Sequence, residues 1–346
     1  MAAVLSSFSF GRFRMLISFF MQSVSNMTRP KVTIVVPVYN VEAWIERCAR
    51  SLFEQTLGDM EFIFVDDGSP DRSIDVVERV VKDYPSRMAQ TRIVHQQNQG
   101  PLNARIHGML LATGEFLGTV DADDWAEPET YATLYGQAAS DCADCVIMGY
   151  QRDFADHSEP CHRVYPETDG RLLMQHLYRY PFELVAWGEL LRNDDRLQCL
   201  LRQYYQKPQW LGVTMWEDVA VMMPYYYGAR RISYCDRLFY HYNRANVSSA
   251  LNTVSAAKAR QALKVMHYLK ERFKEDPDML LSVGVMTLGA KNMLLGKVPL
   301  SEWRETERWC NSHIMRYTSV PLKVRIFFWL LAHRCNWAYW LYMRRH

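Results

Sequence analysis

Three short strand-like runs, each stopping abruptly at a polar turn, constrain this chain more than any other feature. Residues 32–36 are an unbroken β-branched stretch closed by Pro37. Residues 62–65 end at Asp66-Asp67-Gly68-Ser69, and residues 116–120 end at Asp121-Ala122-Asp123-Asp124. Such continuous runs suit strands buried on both faces, the pattern of a parallel sheet. Between them lie helical spacings. Residues 42–55 set Trp44, Ile45, Cys48, Leu52 and Phe53 on one side, residues 71–83 and 101–112 read as further helices, and residues 92–95 as another strand. The β-α-β-α alternation with short connections predicts a mostly parallel sheet flanked by helices. Such sheets bind ligands beyond the carboxyl ends of their strands, where the acidic clusters sit.

The length of 346 residues leaves room beyond such a domain. From about residue 251 the texture becomes helical, with helices expected over 256–274, 279–295 and 301–316, and breakers at Asp276-Pro277 and Val298-Pro299. The expected organisation is a leader over 1–30, an α/β domain over 31–249 and a helical region over 250–346. The leader's apolar run at 15–21 is too short to span a bilayer, and a translation start at Met27 is favoured over a targeting role.

Charge is uneven. No Asp or Glu precedes Glu42 and none follows Glu307. Acid-free ends rich in Arg, Lys and aromatics suit anionic lipid head groups better than nucleic acid, and no nucleic-acid partner is expected. Residues 320–346 carry Trp329, Trp337, Tyr339, Trp340 and Tyr342 among basic residues. The apolar run at 326–332 is interrupted by His333, Arg334 and Asn336, so the segment reads as a helix lying in the head-group layer rather than crossing it. The eight cysteines are scattered singly apart from Cys142 and Cys145. In a chain long enough to bury its own core they read as reduced thiols of a cytosolic protein, peripheral on the inner face of the membrane.

Two carboxylates one residue apart, just past a strand, can reach one cation, or a cation and a ribose hydroxyl. Hard ions such as Mg²⁺ or Mn²⁺ take few carboxylates and fill the remaining positions with phosphate oxygens and water. Asp121 and Asp123 are therefore candidate metal ligands.

From Lys31 to Pro128 the chain resembles the bacterial family 2 glycosyltransferases of the GT-A fold. The resemblance rests on Val35-Val36-Pro37-Val38-Tyr39-Asn40-Val41-Glu42, Val65-Asp66-Asp67-Gly68-Ser69, Asn98-Gln99-Gly100 with Arg105, and Val120-Asp121-Ala122-Asp123-Asp124-Trp125, in order. It implies a Rossmann-like α/β sheet, mixed but mostly parallel, and an inverting, metal-dependent transfer from a nucleotide-diphosphate sugar, a UDP-sugar foremost. The acceptor would be a saccharide or lipid-linked molecule in surface-polysaccharide synthesis. Pro37, Tyr39 and Glu42 would line the nucleotide pocket, with Ala122 beside it. Asp67 would accept from the base, and Arg105 would close over the base or pair with Asp67. Asp121 would meet ribose or metal, and Asp123 the metal. Apart from the resemblance, Pro37 and Gly68 suit turns and Asp66 suits a cap of the following helix.

The same resemblance implies roles for Glu217 and Asp218. A single displacement needs a base across from the leaving diphosphate. Asp218 takes that role, with Glu217 as positioning group or substitute, and Trp216 either stacks on the acceptor or packs in the core. Arg244 or His241, near Ser248, covers the diphosphate or belongs to an ordinary exposed loop. Where relatives place a basic residue after a tryptophan, this chain has Trp187-Gly188-Glu189. The rival readings are a polyprenyl-phosphate acceptor, a silent saccharide-binding relative, which would lack the acids, and a dehydrogenase, which would need G-x-G-x-x-G where Pro37-Val38-Tyr39-Asn40 stands.

Overall fold

The computed structural model describes residues 29–246 and 255–343, with side chains through 340. The expectations for the leader and Met27, for Ser248, for the boundary at 249 and 250, for the Tyr342 side chain and for the basic residues of 344–346 lie outside the described residues.

The elements run β1 (Val32–Val38), α1 (Ile45–Phe53), β2 (Met60–Asp66), α2 (Ser73–Val81), α3 (Pro85–Met88), β3 (Thr91–His95), α4 (Pro101–Leu111), β4 (Phe116–Thr119) and β5 (Trp125–Ala126). Then come α5 (Thr130–Ser140), β6 (Cys145–Asp153), β7 (Ser158–Cys161), α6 (Gly170–Gln175), β8 (Glu189–Arg192), α7 (Asp195–Tyr204), α8 (Glu217–Gly228) and β9 (Ile232–Asn243). The helical region holds α9 (Ala256–Arg272), α10 (Pro277–Asn292), α11 (Leu300–Glu305), a 3₁₀ segment (Arg308–Arg316), α12 (Leu322–Ala332) and α13 (Asn336–Met343).

Among the described residues nine strands form one sheet in the order β3-β2-β1-β4-β8-β6-β9-β5, with β7 on β6. β3, β2, β1 and β4 are parallel, β8 runs antiparallel to β4 and β6, and β6 and β9 are parallel again. The chain passes β1 to β2 to β3 in one direction and then returns to lay β4 on the other side of β1. That reversal opens a crevice at the carboxyl ends of β1 and β4, the general location for ligands in such sheets. Tyr39 and Asp121–Asp123 stand there.

Alternation along the strands splits the core in two. Val35, Ile63, Val65 and Ile147 face one cluster, while Ile34, Val36, Phe62, Phe64 and Val146 face the other. The first cluster continues without a break into Leu263, Met266, Met279 and Val283 of α9 and α10, so the helical region packs on one face of the sheet. On that face α4 lies close to β1 because residue 108 is glycine. A Cβ there would stand 2.4 Å from Val35 Cγ1, a separation real atoms do not tolerate.

Two expectations need correction. The helix expected over 301–316 ends at Glu305 and resumes as the 3₁₀ segment, because Glu307 takes a left-handed backbone (φ 42°). The single helix expected across the C-terminal aromatic segment is two, α12 and α13, broken where Arg334 is left-handed (φ 66°). The polar residues His333, Arg334 and Asn336 mark that break. Among the described residues no helix is long and apolar enough to cross a membrane. None of the eight cysteines is paired.

Candidate active site

The acidic clusters after β2 and β4 occupy strand ends and are fixed there by hydrogen bonds. Asp67 follows β2 and is 3% exposed. Its Oδ1 accepts from Gln96 Nε2 at 2.7 Å and from the Gln99 N–H at 2.8 Å, and its Oδ2 from the Gly100 N–H at 2.9 Å. A carboxylate has roughly four acceptor positions, so little capacity remains for a ligand. Asp67 shapes the 96–100 loop as much as it faces the cavity. Asp66 does not cap α2. It accepts from the Ser69 N–H at 2.8 Å, and Asp71 Oδ1 accepts from the Ser73 N–H at 3.1 Å instead.

Arg105 on α4 is buried, and its expected pairing with Asp67 does not occur. Its Nη2 donates to Asp121 Oδ1 at 2.7 Å, and Nη1 lies 3.9 Å from Glu217 Oε1. Burial alone would lower the guanidinium pKa, but Asp121, Glu217 and Asp218 outweigh it and hold the group cationic. Nη1 and Nε have no hydrogen-bond partner, which leaves donor capacity aimed among three carboxylates.

The loop after β4 is clamped by the far end of β9. Tyr240 Oη donates to Asp124 Oδ2 at 2.5 Å and accepts from the Asp121 N–H at 3.2 Å. Asp124 also accepts from the Asn243 N–H at 2.8 Å, and Asp123 from Asn246 Nδ2 at 2.8 Å. Burial, then the charge of Asp121, raises the pKa of Asp123; burial, then Asp123 and Asp121, raises that of Asp124. Arg105 pairs with Asp121 alone, so the crowded carboxylates of this turn remain short of positive charge, and a divalent cation at Asp121 and Asp123 would supply it. Among the described residues no group of three or more His, Cys, Asp and Glu side chains forms a ready-made metal cage. Two oxygen donors that leave positions open fit an ion that also binds phosphate.

Glu217 and Asp218 open α8 after Trp216, whose backbone is left-handed (φ 59°). Burial raises both carboxyl pKa values. Asp218 then adds to the rise at Glu217, while Arg105 restrains both. Two neighbouring buried carboxyls beside one guanidinium resist being ionised together. Asp218 Oδ1 accepts from the Val219 N–H at 2.9 Å.

Two adjoining cavities meet at these groups. One, of ≈ 380 Å³, runs past Pro37, Tyr39, Asp67, Gly100 and Ala122. The other, of ≈ 450 Å³, is walled by Tyr150, Phe182, Trp187, Trp216, Tyr242 and Met286, and reaches Asp218. Arg105, Asp121, Asp123, Thr214 and Glu217 line both. Pro37, Tyr39, Asp67, Arg105, Asp121, Ala122, Asp123, Glu217 and Asp218 are thus gathered in one place. Glu42 is not among them: its carboxylate accepts from the Arg72 N–H at 3.0 Å and pairs with the Arg72 side chain. His241 is tied down between Asp153 at 2.7 Å and Glu127 at 2.8 Å.

Sequence reasoning did not single out Thr214, or the anchoring by Tyr240 and Asn246. Neither did it find Arg163, which is buried with Glu189 as an ion pair at 2.6 Å. The acid after Trp187 is therefore neutralised from a distant segment. No local signal marks these partners, because each is brought in from far along the chain.

Residues 33–182 match the model of Glycosyl transferase family 2. The chain is 31% identical over 267 residues to the putative glycosyltransferase EpsH of Bacillus subtilis, covering 71% of this chain and 74% of EpsH. It is 35% identical over 171 residues to the uncharacterized glycosyltransferase EpsJ of the same organism, and that match spans about half (48%) of each protein. Among solved structures, S. aureus TarS 1–349 in complex with UDP-GlcNAc superposes with a TM-score of 0.62 at 20% identity over 89% of each chain. That likeness is one of fold, a GT-A sheet with helices.

Proposed function

Because this chain belongs to glycosyltransferase family 2, we propose that it transfers a sugar from a nucleotide-diphosphate donor, a UDP-sugar foremost, to a hydroxyl of a saccharide or lipid-linked acceptor in surface-polysaccharide synthesis, with inversion. One observation carries the reading: two cavities share an acidic wall, with Asp67 and Tyr39 at the far end of one and Asp218 in the other. A nucleotide in the first cavity directs its diphosphate to Asp121 and Asp123 and leaves the anomeric carbon at the junction. When bound there, Mg²⁺ or Mn²⁺ supplies charge that stabilises the departing diphosphate.

The remaining work belongs to side chains of this chain. Arg105 fixes Asp121 and sets its second arm beside Glu217 of the acid pair. Asp218 takes the proton of the acceptor hydroxyl as that oxygen attacks from the face opposite the diphosphate, which inverts the configuration. The aromatic walls of the second cavity offer flat faces to a sugar ring. Its apolar members Phe182, Leu184, Val185 and Met286 favour a polyprenyl-phosphate acceptor as the second reading.

The same proposal places the protein on the inner membrane surface. Leu322, Ile326 and Trp329, at helical spacing on α12, are exposed together with Trp337 and Trp340 of α13. Exposed Lys323 and Arg334 flank them, and no acid follows Glu307. Exposed aromatics beside cations suit an anionic head-group layer. The test of the reaction is a donor screen with purified protein and Mn²⁺, reading nucleotide-diphosphate release. Release from a UDP-sugar that increases with added acceptor supports the proposal. Silence toward UDP-, GDP- and dTDP-sugars overturns it.

A further inference from the structure

The segment that delivers the acid pair is held from outside the sheet. Residues 209–216 pass the donor cavity and end at Trp216, where φ 59° and ψ 25° turn the chain into α8. A bulky residue adopts that left-handed conformation only under strain, so its surroundings must impose it. They come from the helical region. Gln261 of α9 accepts through Oε1 from the Thr214 N–H at 3.1 Å and from the Thr214 hydroxyl at 3.3 Å. Lys264 Nζ donates to the Gln209 carbonyl at 2.8 Å. From α10, Gly289 faces the Trp216 indole, where a Cβ would lie 3.4 Å from Cη2. One turn earlier, Met286 lines the cavity of Asp218.

The same segment touches the donor side. The Gly212 N–H donates to the Gln99 carbonyl at 3.3 Å, next to the Gly100 N–H that Asp67 binds. A Cβ on Gly100 would lie 3.5 Å from Gly212 Cα. One stretch of chain thus connects the loop that Asp67 organises with the pair that opens α8, and Thr214 in its middle lines both cavities.

We propose that Gln261 and Gly289 are positioning residues for glycosyl transfer, holding residues 209–216 so that Asp218 stands in the acceptor cavity beside the acidic wall it shares with the donor cavity. The inference rests on the donor and acceptor reading given above. Neither residue touches the reacting atoms. Gln261 acts through Thr214, and Gly289 through the Trp216 ring. The helical region is then part of the reaction centre. Its removal would leave the acid pair on an unsupported left-handed turn. A displacement of the base by about 1 Å costs up to roughly 100-fold in rate, so small losses of support should be visible in turnover.

The test uses the full chain, with Mn²⁺ and whichever UDP-sugar the wild type turns over. Gln261→Leu removes the accepting oxygen and the Nε2 that donates to the Gly212 carbonyl at 3.4 Å, whereas Gln261→Glu keeps an acceptor for both Thr214 bonds and gives up only that longest contact. Gly289→Ala meets Trp216 at ordinary contact distance, whereas Gly289→Leu pushes against it. The expected result is that both Leu variants lose about 10-fold or more in kcat, with donor affinity by calorimetry unchanged, and that Gln261→Glu and Gly289→Ala recover most of the rate. Hydrogen exchange at the 214–218 amides, which needs no substrate, should quicken in Gln261→Leu. Wild-type turnover in the Leu variants, parallel loss of kcat and donor affinity, failure of Gln261→Glu to recover, or unchanged exchange overturns the assignment. A wild type that binds no donor defeats the functional reading alone, and the exchange measurement still decides whether Gln261 holds the segment.

Discussion

Replacing Asp218 by asparagine acts on two properties that should move in opposite directions. The amide keeps the side chain's shape, and its Oδ1 can go on accepting from the Val219 N–H as the carboxylate does at 2.9 Å. What is lost is charge and basicity. A positioned general base contributes about 10²–10⁴ in rate, or ~3–5 kcal/mol of barrier. Transfer should drop by that factor. Donor affinity, set around Asp67 and Tyr39 in the other cavity, should stay as it is. Stability should rise. Burial lifts the pKa of Glu217 and of Asp218, and their proximity lifts Glu217 further. A carboxyl whose pKa is raised on folding contributes stability that is complete below its unfolded pKa and lost as pH rises through the folded value. At ~1.4 kcal/mol per pKa unit, the charged pair destabilises the fold at mildly alkaline pH. The neutral amide of Asp218→Asn relieves part of that, worth a few degrees in Tm at ~2–4 °C per kcal/mol. The assays are nucleotide-diphosphate release, calorimetry with the donor, and thermal unfolding in mildly acidic and mildly alkaline buffer. Wild-type transfer would remove Asp218 from the mechanism. A Tm that falls at alkaline pH would refute the charge argument.

Asp67→Ala removes the acceptor of three hydrogen bonds from the 96–100 loop. At ~1.5–3 kcal/mol for a bond to a charged group, with incomplete additivity, Tm and UDP affinity should fall together; an unchanged Tm would show that the loop holds itself. Arg163→Met strands Glu189 in the core and should cost about 3–5 kcal/mol in denaturant unfolding, most of it recovered in Arg163→Met/Glu189→Leu. Loss of the same size in the double variant would contradict this. Burial pushes the Glu189 pKa up to about 7, so its contribution is complete below the unfolded glutamate value of ~4.3 and lost as pH climbs through the folded one. Glu189→Gln should therefore flatten the decline of stability across that window, and an unaltered pH dependence would exclude Glu189 as its source. Trp337→Ser/Trp340→Ser should weaken sedimentation with phosphatidylglycerol vesicles and leave turnover of a water-soluble acceptor intact. Undiminished vesicle binding would rule out this surface.

The parallel half of the sheet was legible because β1, β2 and β4 contain continuous apolar runs that stop at Pro37 or at an Asp-rich turn. Asp67, Asp121 and Asp123 lie where those stops place them. The short strands of the other half were not legible. β8 is four residues long and β5 two, and both exist only by pairing with segments distant in sequence. Arg105 shows the same limit within the site. Its position was legible, but its partner was not, since Asp121 and Glu217 reach it only after the sheet and α8 are assembled. Glu42 stands in a motif yet spends its carboxylate on Arg72. The break in the 301–316 helix depends on one left-handed residue, Glu307, a type that gives no warning in sequence. Arg163, which neutralises Glu189, lies 26 residues from it.

The central claim is that Asp121 and Asp123 present a divalent cation to the diphosphate of a nucleotide sugar held along Tyr39 and Asp67. Isothermal titration of UDP-sugars into the wild type and Asp123→Ala, with Mn²⁺ and with EDTA, tests it most directly. The account expects affinity in the wild type that needs Mn²⁺ and disappears in Asp123→Ala while the Tm is maintained. Equal heats with Mn²⁺ and EDTA, or equal binding by the two proteins, would contradict it.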